Sequence, residues 1–204
     1  MRGKFITLEG IDGAGKSTHL RWIARFLRAR GIELKLTREP GGTPTGEKLR
    51  RLLLGGRQGL HPETETLLVF AARREHLDKV IIPSLRAGHW VLSDRFTDAT
   101  YAYQSAGSGV DWKKIGVLER WVQESLQPDL TLLLDVSPAV GRQRAGQRRR
   151  PDRFEREKGR YYGRVRRAYL KRAREDPRRV RVIDANLGVA MIHKILEEIL
   201  TSFC

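Results

Sequence analysis

Gly10-Ile11-Asp12-Gly13-Ala14-Gly15-Lys16-Ser17 fits G-x-x-x-x-G-K-[ST], the pattern of a loop whose backbone N–H groups cradle phosphate oxygens. The pattern means little without a strand before it and a helix after it. Both are present. Phe5-Ile6-Thr7-Leu8 is short and apolar, as a buried strand should be. Ser17 to Arg30 puts Leu20, Ile23, Ala24 and Leu27 on one helical face. The helix would point its positive end at the bound phosphate. Lys16 would reach the β and γ phosphates, and the Ser17 hydroxyl would hold Mg²⁺. A chance glycine turn before a helix is the alternative, and this context argues against it.

Outward from that loop, strand and helix signals alternate. Strands are predicted near 4–9, 32–37, 90–94, 130–136 and 180–184. Helices are predicted over 16–30, 45–54, 63–86, 97–106, 111–126, 138–147, 155–175 and 188–201. Leu130 to Val136 and Trp90 to Asp94 are apolar until a polar end, the habit of strands buried on both faces. Such alternation predicts an α/β fold of the P-loop type, a five-stranded parallel sheet flanked by helices. Ligands then belong at the carboxyl ends of the strands. Polar residues stand at those ends: Glu9-Gly10, Arg38-Glu39, Asp94-Arg95 and Asp184-Ala185.

The 204 residues suit one domain, 1–204, with a 40% hydrophobic content ordinary for a packed core. The lone cysteine, Cys204, offers no internal disulfide and fits a reducing cytoplasm. Met1-Arg2-Gly3-Lys4 runs straight into the first strand, so no leader is expected, and no apolar run is long enough for a membrane helix. The formal charge of +16 admits three readings: a nucleic-acid surface, a site for two anionic nucleotides, or solvated arginines without a role.

Five segments carry candidate chemistry. Asp12 lies within the phosphate loop, where a carboxylate repels the ligand unless it accepts a hydrogen bond from an acceptor hydroxyl or a metal-bound water. A turn-capping aspartate is the alternative. Thr37-Arg38-Glu39-Pro40-Gly41-Gly42-Thr43-Pro44 is a rigid turn that sets Arg38 and Glu39 beside the loop. In Phe70-Ala71-Ala72-Arg73-Arg74-Glu75-His76, Phe70 and Arg74 share a helical face, so a ring could stack on a base while the arginine reaches its edge. In Ser93 to Gln104, Asp94 ends a buried strand where a carboxylate orders Mg²⁺, Arg95 could neutralise a phosphate, and Thr100, Tyr103 and Gln104 share a face. Arg144, then Arg148-Arg149-Arg150-Pro151-Asp152-Arg153-Phe154-Glu155, reads as a basic loop that could close over ATP.

These segments in this order resemble bacterial thymidylate kinases over nearly the whole chain. The matching pieces are Glu9 to Thr18, Thr37 to Thr43, Phe70 to His76, Asp94 to Gln104, Pro128 to Val136 and Asp152 to Glu155. The resemblance implies a nucleoside monophosphate kinase fold with a short basic lid at about 146–156, and transfer of the ATP γ-phosphoryl group to dTMP. It implies that Gly10, Ile11, Asp12, Gly13, Ala14, Gly15, Lys16, Ser17, Thr18 and Arg144 bind ATP. On the dTMP side it implies Asp12, Arg38, Glu39, Phe70, Arg74, Arg95, Thr100, Tyr103 and Gln104. Phe70 would stack on thymine, Arg74 and Gln104 would hold the base, and Tyr103 would pack under the deoxyribose. Lys16, Asp12, Arg95 and Arg153 would be catalytic, with Ser17 and Asp94 at the metal. It also implies a homodimer.

Ala14 stands where one branch of that family carries a catalytic arginine. The chain therefore looks like the other branch, whose arginine comes from the lid, with Arg153 preferred and Arg149 second. Ser105 to Gly109 departs from the family pattern, so no contact is carried over to Ser108. A monophosphate is mostly dianionic near neutral pH, given a second pKa of ~6. Its oxygen needs no general base. Two rivals predict otherwise: a deoxynucleoside kinase would use Glu39 as base, and a nucleic-acid-dependent ATPase would show salt-sensitive binding. No nucleic-acid module is recognisable, and neither nucleic acid nor membrane is expected as a partner.

Overall fold

The computed structural model describes residues 2–55, 59–145 and 159–204. Strands β1 (Phe5–Glu9), β2 (Leu34–Arg38), β3 (Trp90–Asp94), β4 (Leu130–Asp135) and β5 (Val180–Asp184) form one sheet in the order β2-β3-β1-β4-β5. Every pairing is parallel, and β1 sits in the middle, with Leu8 opposite Asp94 of β3 and Leu132 of β4. The chain leaves β1 toward one edge and returns past it to β4. The reversal of strand order lies between β1 and β3, where a parallel sheet opens a crevice for ligand.

Helices cover both faces, as the apolar strands require. They are α1 (Lys16–Arg28), α2 (Pro44–Gly55), α3 (Pro62–His76), α4 (Ile82–Arg86), α5 (Thr97–Thr100), α6 (Trp112–Gln123), α7 (Pro138–Ala145), α8 (Gly159–Glu175) and α9 (Val189–Phe203). Neighbouring residues of β1 point to opposite layers. Ile6 and Leu8 pack in a cluster that holds Ile23 and Leu27 of α1, Val165 and Tyr169 of α8, and Leu196 and Leu200 of α9. Phe5 enters the other cluster, with Phe70, Leu77, Ile81, Phe96 and Ile115. Each such side chain, fully buried, contributes about 1.5–3 kcal/mol.

Two departures from the sequence reading are local. The run predicted as one helix over 63–86 contains a π-helical turn, Leu77–Ile81, between α3 and α4. Pro83 has no N–H to return to the preceding turn, so the regular ladder cannot pass through it. The helix predicted over 97–106 turns π-helical at Tyr101–Gly107. That segment carries Tyr103 and Gln104, and such widened turns recur at functional sites.

A buried ionic cluster fastens α8 to the sheet. The Asp98 carboxylate of α5 accepts from Arg179 Nη1 at 2.7 Å and Arg172 Nε at 2.8 Å. Burial pulls this carboxyl upward, but the two guanidiniums outweigh it and hold it below its ordinary value.

Candidate active site

The loop of residues 10–15 turns from β1 into α1 through glycines in the left-handed region. Gly13 has φ 81°, and a Cβ there would lie 2.0 Å from the Gly141 carbonyl oxygen of α7. Only glycine allows the two backbones to meet so closely. Lys16 follows at the helix start, and its Nζ donates to the carbonyls of Gly10 (3.0 Å) and Ile11 (3.1 Å). Burial and the Arg95 guanidinium push the Lys16 ammonium below its ordinary value, against the pull of Asp12, Asp94 and Glu9.

Beside the loop lies a cavity of about 290 Å³ at the carboxyl ends of β1, β2 and β3. Its wall brings together Asp12, Gly13, Gly15, Lys16, Ser17, Arg38, Glu39, Asp94, Arg95, Thr100, Tyr103 and Gln104, all expected from the sequence. It also contains Arg50, Leu53, Val69, Arg73 and Phe96, which sequence reasoning missed. Arg95 departs from β3 with φ 73°, and this turn aims its side chain back across the loop. Its Nη2 donates to Asp12 Oδ1 at 2.5 Å and to Tyr103 Oη at 2.9 Å, with the guanidinium 4.4 Å from the Tyr103 ring centre. Asp12 therefore orients an arginine, which accounts for a carboxylate in an anion site. Arg38 pairs with Glu47 at 3.0 Å, and Arg50 donates to the Pro40 carbonyl at 2.9 Å.

The α3 wall corrects the sequence reading by one residue. Arg74, expected at the base, is half-exposed on the far side of the helix, where it donates to the Val122 carbonyl and faces Asp78 and Glu124. Phe70 does not line the cavity; it is 2% exposed within the core. One residue on a helix is a rotation of about 100°, and Val69 and Arg73 take the two places instead. Arg73 is 1% exposed. Its Nε donates to Glu39 Oε2 at 2.7 Å and its Nη2 to Thr100 Oγ1 at 2.9 Å, while Nη1 is buried without a protein partner among the described residues. A detectable signal existed: Arg73 and His76 are three apart on one face, and both reach Glu39, His76 through Nδ1 at 3.0 Å.

Glu39 is consequently a poor general base. Burial raises its proton affinity, but Arg73 and His76 more than offset this and hold the carboxyl below its ordinary value. Asp94 differs: its Oδ1 is buried with no protein partner among the described residues. Asp94 and Ser17 share the cavity wall, and an unpaired buried carboxylate oxygen beside a hydroxyl is a fitting donor set for Mg²⁺.

Behind the wall, the Glu9 carboxyl accepts from the backbone N–H of Phe96 at 2.7 Å and from the Tyr169 hydroxyl at 2.8 Å. Burial and the nearby Asp98 push it up to about 8, so it is largely protonated at neutral pH. Of the remaining expected residues, Gly10, Ile11, Ala14 and Thr18 belong to the loop and helix start outside the cavity wall. Arg144, on α7, donates to the Ala185 carbonyl at 2.8 Å, next to the Asp184 and Asn186 turn. Arg149, Arg153 and the whole of the expected lid, 146–156, lie outside the described residues.

A phosphate loop, a charged acceptor cavity beside it and a parallel sheet in this order define a P-loop kinase of the nucleoside monophosphate type. The model of the family described as thymidylate kinase matches residues 8–196. The thymidylate kinase of Nitrosospira multiformis is 61% identical, with 97% of each chain covered. That of Nitrosomonas europaea is 58% identical over 99% of this chain and 94% of its own. The crystal structure of thymidylate kinase from Ehrlichia chaffeensis superposes with a TM-score of 0.79 at 35% identity, covering 98% of this chain and 99% of that one. The chain belongs to the thymidylate kinase family, and its reaction is phosphorylation of dTMP to dTDP with ATP as donor. Among the described residues, no helix is long and apolar enough to cross a membrane.

Proposed function

We propose that the cavity seats dTMP with its phosphate toward Arg95, Arg38 and Arg50 and its base toward Arg73, Val69 and Gln104. The observation that supports this most directly is the pairing of the wall's carboxylates. Asp12 is engaged by Arg95, and Glu39, the candidate base, by Arg73 and His76, so neither suits a neutral hydroxyl acceptor, while Asp94, unpaired at Oδ1 among the described residues, suits a metal ion. A dianionic acceptor needs no base. Its difficulty is repulsion by the γ-phosphate, and fixed positive charge relieves it. Arg73 Nη1, buried and unpartnered, would donate to a carbonyl of the base. Tyr103, held by Arg95, would lie under the sugar.

Asp94 and Ser17 would hold Mg²⁺, and the chemistry that ion supplies when bound is neutralisation of charge on the donor phosphates. The resemblance, with Ala14 in the loop, supports Arg153 as the arginine reaching the transferring phosphoryl group, with Arg149 second. An arginine in that role contributes about 10³–10⁵ in rate. Arg153→Ala should therefore lower turnover far more than dTMP affinity, and unchanged turnover sinks the assignment.

A homodimer is the quaternary state we favour. Leu67 of α3 and Val117 and Trp121 of α6 are 55%, 55% and 76% exposed on helices that pack together. Apolar exposure of that kind marks an interaction face. Sedimentation of Trp121→Glu against the unaltered protein tests it: dissociation supports the dimer, and an unchanged dimer excludes this face.

The acceptor assignment is tested by ADP release from ATP and Mg²⁺ with dTMP, thymidine, dUMP, dCMP, AMP and UMP supplied separately. Turnover with dTMP and little with thymidine is expected. Turnover with thymidine alone would restore Glu39 as a base.

A further inference from the structure

Gln104 lines the base end of the cavity, but its orientation is set by a residue outside the wall. Glu65, in the first turn of α3, is 1% exposed, and its Oε1 accepts from Gln104 Nε2 at 3.0 Å. A carboxylate only accepts hydrogen bonds. The amide nitrogen of Gln104 must therefore turn toward Glu65, and its carbonyl oxygen remains for the cavity. Nε2 makes the only hydrogen bond of this side chain among the described residues.

We infer that Glu65 is the positioning residue that fixes the base preference of this enzyme, by holding Gln104 as an acceptor toward the ligand. The inference rests on the acceptor reading proposed above. In the same wall, Arg73, which bonds Thr100 one turn before Gln104, presents a buried Nη1 that can only donate. An acceptor beside a donor complements the edge of a pyrimidine that carries an N–H at position 3 and a carbonyl at position 4. Thymine and uracil have that edge. Cytosine has the inverse, a lone pair at position 3 and an amino group at position 4. A free glutamine could serve both by rotating its amide half a turn. Glu65 forbids the rotation, because the flipped amide would set its oxygen against a buried carboxylate.

The test is the ratio of kcat/KM for dTMP over dCMP in Glu65→Gln. Its amide can either accept from or donate to Gln104, so the lock is lost while volume is kept. A site built to hydrogen-bond one partner discriminates steeply against its inverse. The ratio is expected to fall at least tenfold, and no further fall is expected when Glu65→Gln is added to Gln104→Leu. A ratio within threefold of the unaltered protein overturns the inference, since a merely structural role lowers both acceptors together. Should Glu65→Gln not fold, hydrogen exchange of the Gln104 side-chain amide in the unaltered protein decides. Slow exchange is expected for an amide held on a buried carboxylate, and free exchange refutes it. The unaltered protein with dTMP is the internal control. If it turns over no dTMP, the acceptor reading itself has failed.

Discussion

Glu9→Gln should make this protein more stable at neutral and alkaline pH, and the gain should vanish toward pH 5. Glu9 is fully buried at the end of β1, and its carboxyl is pushed up from an ordinary 4.5 to about 8, first by burial and then by the Asp98 charge. In the unfolded chain it releases its proton near the ordinary value. Between those two pH values the folded state holds a proton that the unfolded state has lost, so folding stability falls as pH rises. Each pH unit in that window costs about 1.4 kcal/mol. The loss is on the order of 3 kcal/mol by pH 7, levelling off above pH 8 near ~5 kcal/mol. Glutamine has no such proton. It keeps an acceptor for the Phe96 N–H and places an amide against the Tyr169 hydroxyl. The assay is urea unfolding of both proteins, followed by tryptophan fluorescence at half-unit steps from pH 5 to 8.5. The difference between the two stability curves should widen by ~3 kcal/mol from pH 5 to pH 7.5, with matched urea slopes. Groups such as Asp98 titrate alike in both proteins and cancel. Parallel curves would refute the reasoning, since they would mean that Glu9 is ionised in the fold at neutral pH and that its hydrogen bonds outweigh burial.

Arg73→Leu should raise the KM for dTMP by ~10–100-fold, the worth of a hydrogen bond from a charged group, and lower the melting temperature because Glu39 loses its first partner; Arg74→Leu should do neither, and steady-state kinetics with thermal melts on the pair check this. Gly13→Ala forces a Cβ into the Gly141 carbonyl at φ 81°, so calorimetric titration with ATP should show affinity reduced at least tenfold, with backbone strain of ~1–3 kcal/mol visible as a lowered melt. Asp98→Asn leaves Arg172 and Arg179 without their shared carboxylate and should destabilise the fold by ~3–5 kcal/mol at pH 7. The depressed Asp98 carboxyl contributes stability that is present above its ordinary 3.8 and lost as pH falls through its lower folded value. The penalty of Asp98→Asn should therefore shrink in acid, as urea unfolding over pH 2–6 would reveal.

What was legible in the sequence was local. The phosphate loop is read from spacing because its function is a backbone conformation, and glycine at Gly13 is dictated by that conformation alone. The central strands β1, β3 and β4 are read from apolar runs, because burial on both faces leaves no alternation to confuse them, while the edge strands β2 and β5 are half-exposed and show only short apolar-polar alternation. The sheet's order and the crevice between β1 and β3 come from the structure, since right-handed crossovers admit more than one order of five parallel strands. Even Asp12 was flagged, although its partner Arg95 stands far along the chain, because a carboxylate in an anion site contradicts the loop's own chemistry.

Arg73 and Arg74 mark where that reasoning stops. They are chemically identical neighbours on one helix, and the helix pattern by itself offers both to the site. Phe70 and Arg74 satisfy the four-residue spacing, but so do Val69 and Arg73, and the aromatic member made the first pair look preferable. The choice is made elsewhere. Glu39 ends its strand facing α3, and an arginine three residues from His76 can join the imidazole on that carboxylate, whereas one two residues from it points away. Glu39 needs two cationic or donor partners to remain charged where it is buried. The pairing of Arg73 and His76 with Glu39 fixes the helix's rotation, sends Phe70 into the core and leaves Arg73 Nη1 buried without a hydrogen-bond partner among the described residues. Glu65 belongs to the same logic, since its effect passes through an amide thirty-nine residues away. Residues that touch substrate can be guessed from their chemistry; residues that orient them are specified by contacts between distant elements, and the sequence carries those only through the fold.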